Sequence, residues 1–245
     1  MPPFAARIGL IVLLAGNLLS AAHLYAQLDE EHEEAPLVAT ADFNRDGVAD
    51  IASVAANGRL TVRLGRSDGT FLETASMSVS GRKPRALIAD DFNGDGIPDL
   101  LIGTEDGTVM LFLSDGTGRF APGRKIAHLE SVTSIAVADF NKDSIADIAV
   151  SDWRASTVTV YFGSANRSFD HTWSFPLRMR GTAPQIATAD FNDDGIPDLV
   201  VVYGGDDNDP TFDVMLGNGN GTFTISPERG FSRSPNSHCN TLTGN

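Results

Sequence analysis

Four stretches of the sequence carry the same spacing of oxygen-bearing side chains. They are Asp42-Phe-Asn-Arg-Asp-Gly-Val-Ala-Asp50, Asp91-Phe-Asn-Gly-Asp-Gly-Ile-Pro-Asp99, Asp139-Phe-Asn-Lys-Asp-Ser-Ile-Ala-Asp147 and Asp190-Phe-Asn-Asp-Asp-Gly-Ile-Pro-Asp198. Positions 1, 3, 5 and 9 are Asp, Asn, Asp and Asp each time, and the main-chain carbonyl of position 7 can add a further oxygen. A donor set made only of oxygens and rich in carboxylates selects a hard cation, calcium before zinc or copper. Three carboxylates in nine residues also repel one another without a cation. Gly at position 6 permits a turn with positive φ, the part it also plays in an EF-hand loop. Pro98 and Pro197 at position 8 bias the preceding residue towards extended backbone, which suits a loop handing over to a strand. The phrase lacks the twelfth-position Glu of an EF-hand, and its flanks do not read as helices.

The phrases begin at residues 42, 91, 139 and 190, a period of about 50 that signals a repeat architecture. Each lies between apolar segments. Leu37-Val-Ala39, Ala86-Leu-Ile-Ala89, Ile135-Ala-Val-Ala138 and Ile186-Ala-Thr-Ala189 precede the loops, and Ile51, Leu100-Leu-Ile102, Ile148-Ala-Val150 and Leu199-Val-Val-Val202 follow them. A third segment, as in Leu60–Leu64, Val109–Leu113 and Val158–Phe162, is rich in β-branched and aromatic residues, and a Gly-rich turn and a Phe come next. These segments read as strands, and a weaker fourth strand leads to the next unit. Four strands in about 50 residues make one propeller blade. In register with the strands, Phe43, Phe92, Phe140 and Phe191 at position 2 read as core between blades rather than as ligand-stacking aromatics.

The motif DxNxDGxxD in this strand setting resembles the FG-GAP/VCBS repeat family, calcium-binding β-propeller blades of the kind also found in the integrin α-subunit head. The resemblance runs from about residue 36 to 226. It implies an all-β propeller of about four blades whose loops, joining the first two strands of each blade, hold about four Ca2+ ions. Carried over residue by residue, the ligands are Asp42, Asn44, Asp46, the Val48 carbonyl and Asp50; Asp91, Asn93, Asp95, the Ile97 carbonyl and Asp99; Asp139, Asn141, Asp143, the Ile145 carbonyl and Asp147; and Asp190, Asn192, Asp194, the Ile196 carbonyl and Asp198. Ser144 stands where the third loop should have Gly. Propellers resembling this family close with about seven blades, and four repeats leave three arrangements open: a small closed ring, partial rings of two chains that self-associate, or a truncated product of a longer FG-GAP protein. Because an open ring leaves faces and edges uncovered, a closed or nearly closed four-blade ring is the first expectation.

The chain of 245 residues has 32 Asp and Glu against 18 Lys and Arg, a formal charge of −14. That sign is wrong for a phosphate backbone or an anionic membrane surface. Cys239 is the only cysteine, which excludes an intrachain disulfide, a multi-cysteine zinc site and a CxxC motif. Arg7, the apolar run Ile8–Leu19 and the small residues up to Ala26 follow the order of a signal peptide, cleaved after Ala22 or Ala26. The expected organisation is a signal at 1–26, an acidic linker at 27–35 containing His32, propeller repeats at 36–228 and a patternless tail at 229–245, without a membrane span after cleavage. The product would be secreted or extracytoplasmic.

No His-Glu-x-x-His motif occurs; the Gly-x-Ser-x-Gly match at Gly65-Arg-Ser-Asp-Gly69 falls in the Gly-rich turn after a third strand segment and not at a strand-to-helix elbow, and His128, His171 and His238 have no partners related by the repeat. Asp152-Trp153-Arg154 and the Asp-rich turn Asp206–Asp209 differ from the other blades and are the candidate contact segments. Asn166 and Asn220 head glycosylation triplets. The leading function is a binding or adhesion module for an extracellular protein or glycan. The alternative is an extracellular polysaccharide lyase or hydrolase, or an accessory part of one.

Overall fold

In the computed structural model, residues 35–226 are described except 82, 165–167, 178–182 and 205–209. The expected signal, most of the acidic linker, the C-terminal tail, His32, Asn166, His238 and the Asp206–Asp209 turn lie outside them.

Among the described residues, sixteen strands form four antiparallel sheets of four, each built from consecutive strands. The first blade holds β1 (Leu37–Ala41), β2 (Asp50–Val54), β3 (Arg59–Gly65) and β4 (Phe71–Ser78). The second holds β5 (Pro84–Asp90), β6 (Asp99–Thr104), β7 (Thr108–Phe112) and β8 (Arg124–His128). The third holds β9 (Val132–Ala138), β10 (Asp147–Asp152), β11 (Thr157–Phe162) and β12 (His171–Pro176). The fourth holds β13 (Gln185–Ala189), β14 (Asp198–Gly204), β15 (Pro210–Gly217) and β16 (Phe223–Ile225). Each Asp-rich phrase opens just after the first strand of a blade, and its ninth residue is the first residue of the second strand. The blade of four strands expected from the repeat is therefore what forms, and no helix occurs among the described residues.

Side chains alternate across a strand, so each sheet offers one apolar set to the blade before it and another to the blade after it. Three clusters result. Ala52, Val54, Leu60 and Val62 of the first blade meet Leu100, Ile102, Met110 and Phe112 of the second. On the opposite face of the second blade, Leu101, Val109 and Leu111 meet Ile135, Ile148 and Val150 of the third. Ala149, Val158 and Val160 of the third blade then meet Leu199, Val201 and Met215 of the fourth. Being covered on both sides, β6 and β10 are buried at every residue. In β2 of the first blade, by contrast, burial alternates.

That alternation overturns two expectations. None of the three clusters joins the first sheet to the fourth, so the closed four-blade ring is not seen among the described residues; the four sheets form a partial propeller with two outer faces. Phe191 is also not core. Phe43, Phe92 and Phe140 are at most 1% exposed, whereas Phe191 is 50% exposed, because it reaches forward from its blade and no sheet among the described residues follows the fourth blade.

The four equivalent phenylalanines should therefore respond unequally to truncation. Phe92→Ala leaves a cavity between two sheets and should cost about 3–5 kcal/mol. Phe191→Ala should cost less than about 1 kcal/mol in urea unfolding at a concentration where the chain is monomeric. Equal losses would show that the fourth blade is covered like the others.

Candidate functional site

The four loops fold alike because their side chains satisfy their own main chain. In the first, the N–H of Asp46 donates to Asp42 Oδ1 at 3.1 Å and to Asn44 Oδ1 at 3.0 Å, and the N–H of Gly47 donates to Asp42 Oδ2 at 2.8 Å. The N–H of Val48 donates to Asp46 Oδ1 at 2.8 Å. The other loops repeat this around Asp95, Asp143 and Asp194, with distances of 2.9–3.2 Å from those N–H groups to the oxygens of positions 1 and 3. Oxygens of positions 1 and 3 thus converge on a single N–H in every repeat. In three loops the Asn side chain also donates to the position-5 carboxylate, as Asn44 does to Asp46 at 2.8 Å.

Position 9 does something different. Asp50, Asp99, Asp147 and Asp198 are 0% exposed. Each carboxylate accepts one N–H from position 2 of its own loop and one from a residue at the end of the third strand or one or two positions beyond it. The pairs are Phe43 and Gly65, both at 2.8 Å; Phe92 at 3.3 Å and Ser114 at 2.8 Å; Phe140 at 2.9 Å and Gly163 at 2.8 Å; and Phe191 at 2.8 Å and Gly217 at 2.7 Å. Burial pushes Asp99 and Asp147 up to about 6 and raises Asp50, against the pull of these N–H groups; the loop carboxylates nearby add a smaller upward push. On the exposed side, the N–H of Gly195 holds Asp190 below the usual carboxylate range. Among the described residues, no three His, Cys, Asp or Glu side chains come together as a ready-made metal cluster. What the loops do present is a mixed set of carboxylate and amide oxygens, which suits a hard cation.

Two positions per loop take left-handed backbone. Position 6 has φ of 80° at Gly47, 75° at Gly96, 75° at Gly195 and 68° at Ser144. A Cβ would meet nothing within 4 Å at Gly47 or Gly195, so Gly is used there for its backbone freedom and not for space. Position 4 is also left-handed, at Arg45, Gly94, Lys142 and Asp193, which the sequence signals only at Gly94.

At the turns between second and third strands, the repeats diverge. Asp152 is 1% exposed, and its carboxylate accepts N–H groups from Glu130 at 2.7 Å, Ser131 at 3.2 Å and Ala155 at 3.0 Å. It is a clamp on the turn that carries Trp153, which is 47% exposed, and Arg154. A cavity of about 230 Å³ lies beside them, lined among others by Arg85, Glu105, Ser131, Thr133 and Gln185. A neighbouring cavity of about 270 Å³ is formed by Lys83, Glu105, Asp106 and Arg154. Arg85 donates to Glu105 and holds its carboxyl low. Sequence reading found Trp153 and Arg154 but missed Glu105 and Asp106, although these occupy the same offsets from the ninth loop position one repeat earlier. His128 and His171 lie exposed on β8 and β12.

The Asn220 triplet is part of a turn. Asn220 Oδ1 accepts from the N–H of Thr222 at 3.0 Å and its hydroxyl at 2.7 Å, as Asp68 accepts from Thr70 and Asp115 from Thr117.

Sheets stacked face to face, each with an Asp-rich loop between its first two strands, define a β-propeller repeat protein. The chain belongs to the FG-GAP-like repeat family, which matches residues 42–102, 91–150, 140–201 and 190–243. It is 27% identical over 191 residues to cartilage acidic protein 1 of Xenopus tropicalis, covering 68% of this chain and 28% of that protein. Among solved structures it resembles a lectin from Agrocybe aegerita, solved for its specific recognition of non-reducing terminal N-acetylglucosamine, with TM-score 0.54 and 18% identity over 76% of this chain and 50% of the lectin. It also resembles BBS1N, crystallised in complex with ARL6DN, with TM-score 0.49 and 15% identity over 78% of this chain and 54% of that one.

The left-handed Ser144 carries strain on the order of 1 kcal/mol relative to Gly. Ser144→Gly should raise the stability of the metal-free chain by about that amount in chemical denaturation. An unchanged midpoint would show that the third loop is already relaxed.

Proposed function

We propose that this chain is a secreted, calcium-stabilised propeller that binds an extracellular protein or glycan through the Trp153–Arg154 turn and the cavities beside it. The observation that carries this reading is the contrast between repeated and unrepeated parts. The Asp loops are the same in all four blades and sit on well-ordered hydrogen bonds, as scaffolding does. The turn at Trp153 occurs once, and a buried carboxylate holds an exposed aromatic ring at the rim of a polar cavity. An aromatic face suits the apolar side of a sugar ring or a side chain, while Arg154, Glu105, Ser131 and Thr133 offer donors and acceptors of both signs.

In each loop, Asp, Asn, Asp and Asp at positions 1, 3, 5 and 9, with the carbonyl of position 7, would hold the ion, and Asp at position 9 also ties the loop to the sheet through its two N–H partners. Bound calcium would supply positive charge where three carboxylates crowd together. Residues 1–26 have the pattern of an export signal, and the match to cartilage acidic protein 1 agrees with an extracellular setting. No helix among the described residues is long and apolar enough to cross a membrane.

Calorimetry on the metal-stripped chain should find about four calcium ions. Each site should stabilise the fold by about 2.7 kcal/mol at a free concentration 100 times its dissociation constant. On a glycan array and in pull-downs of extracellular proteins, the calcium-loaded chain should capture a ligand that Trp153→Ala no longer retains, with calcium stoichiometry and Tm unchanged. No calcium heat, and a Tm indifferent to chelator, would refute the metal assignment. A ligand held equally well by Trp153→Ala would refute the recognition surface.

A further inference from the structure

Within the chain one ring contact recurs at two of the three blade junctions, and the third buries the equivalent rings in one cluster. The Phe at loop position 2 reaches forward to the Phe near the start of the next blade's fourth strand. Phe43 meets Phe120 and Phe140 meets Phe223, both at 5.4 Å between ring centroids and edge to face. Phe92 and Phe169 share one buried cluster. Main-chain bonds accompany the ring pairs, from the N–H of Gly118 to the Phe43 carbonyl and from the N–H of Gly221 to the Phe140 carbonyl, both at 3.2 Å.

Two halves of this contact are left over, and they lie on opposite outer faces. Phe191 of the fourth blade is 50% exposed and Phe71 of the first is 47% exposed. Around Phe191 the forward face continues with Val200, Val202, Phe212 and Val214, in register with the Ala52, Val54, Leu60 and Val62 that the second blade covers. Around Phe71 the opposite outer face presents Val38 and Ile51, followed by the Arg63–Glu73 ion pair at 3.3 Å. Of the large apolar residues exposed among the described residues, every one except Trp153 belongs to the first or the fourth blade.

We propose that the fourth blade of one copy docks on the first blade of a second copy, with Phe191 on Phe71, in continuation of the junction already made three times inside the chain. The occupant is a second copy because it carries the complementary half of the contact at the matching place. The joint is heterologous, and a heterologous joint made twice closes a ring when the rotation allows it. Two rows of four blades give eight, within the range of closed propellers, and a closed ring would cover both outer faces at once. This inference is independent of the calcium and ligand assignments.

Sedimentation equilibrium of the full chain across roughly 1–100 µM tests it. The expected species is a dimer of the 26.0 kDa chain. Phe191→Asp and Phe71→Asp, both at half-exposed positions, should each weaken association by at least about 30-fold, as loss of an interface hot spot does, with unchanged circular dichroism. Mixing the two variants should restore a complex with a single joint, since one keeps an intact first blade and the other an intact fourth. Three results would overturn the proposal. One is a monomer over the whole range. Another is a dimer that tolerates Phe71→Asp, which would place fourth blade against fourth blade. The third is a monomer that associates only when residues 227–245 are removed, which would make that segment the cover of Phe191.

Discussion

The buried carboxylate at the ninth position of each loop is the interaction on which the other features depend. It stands at the first residue of a blade's second strand and accepts one N–H from the loop and one from the end of the third strand. Taking a carboxylate out of water costs several kcal/mol. Hydrogen bonds from N–H groups to a charged acceptor return about 1.5–3 kcal/mol each. With two such bonds the balance is near neutral, and with one lost it is clearly unfavourable. The loop and the third strand are thereby held in one register, and a small residue is needed where the main chain comes close: a Cβ at Gly65 or Gly163 would collide with the carbonyl of Ala49 or Ala146.

From that anchor the rest follows outward. The loop's position-2 residue is pinned by its N–H, so its Phe ring is aimed forward, and Phe43 and Phe140 each find a second ring on the next blade. The exposed part of the loop then arranges oxygens of positions 1 and 3 around the position-5 N–H. The same device with different partners appears at Asp152, where a buried carboxylate holds an exposed aromatic turn. The molecule thus uses buried Asp for position and exposed Asp for charge, which accounts for much of its acidity.

A good part of this was legible in the sequence. Four identical spacings at a near-constant period gave the blades, the strand order and the place of each loop, because a repeated unit must solve the same packing problem each time. The left-handed Ser144 was legible for the same reason. Phe191 was misread because sequence periodicity treats all repeats alike, whereas burial depends on which sheet comes next, and among the described residues none follows the fourth blade. The ninth Asp was read only as a ligand, since spacing does not reveal that both its oxygens already have N–H partners. Glu105 and Asp106 went unnoticed because ordinary polar turn residues gain meaning only when the fold sets them in cavities shared with Arg154.

The central claim is that buried carboxylates, and not a bound ion, seat each loop in its sheet. Residue-resolved hydrogen exchange on the metal-free chain tests this most directly. The amides of Phe92 and Ser114, which donate to Asp99, should exchange as slowly as those in the middle of β6, while Gly96 at the exposed loop tip exchanges far faster. If Phe92 and Ser114 exchanged at the rate of Gly96 until calcium was added, the ion would be the seat of the loop and the account would be wrong.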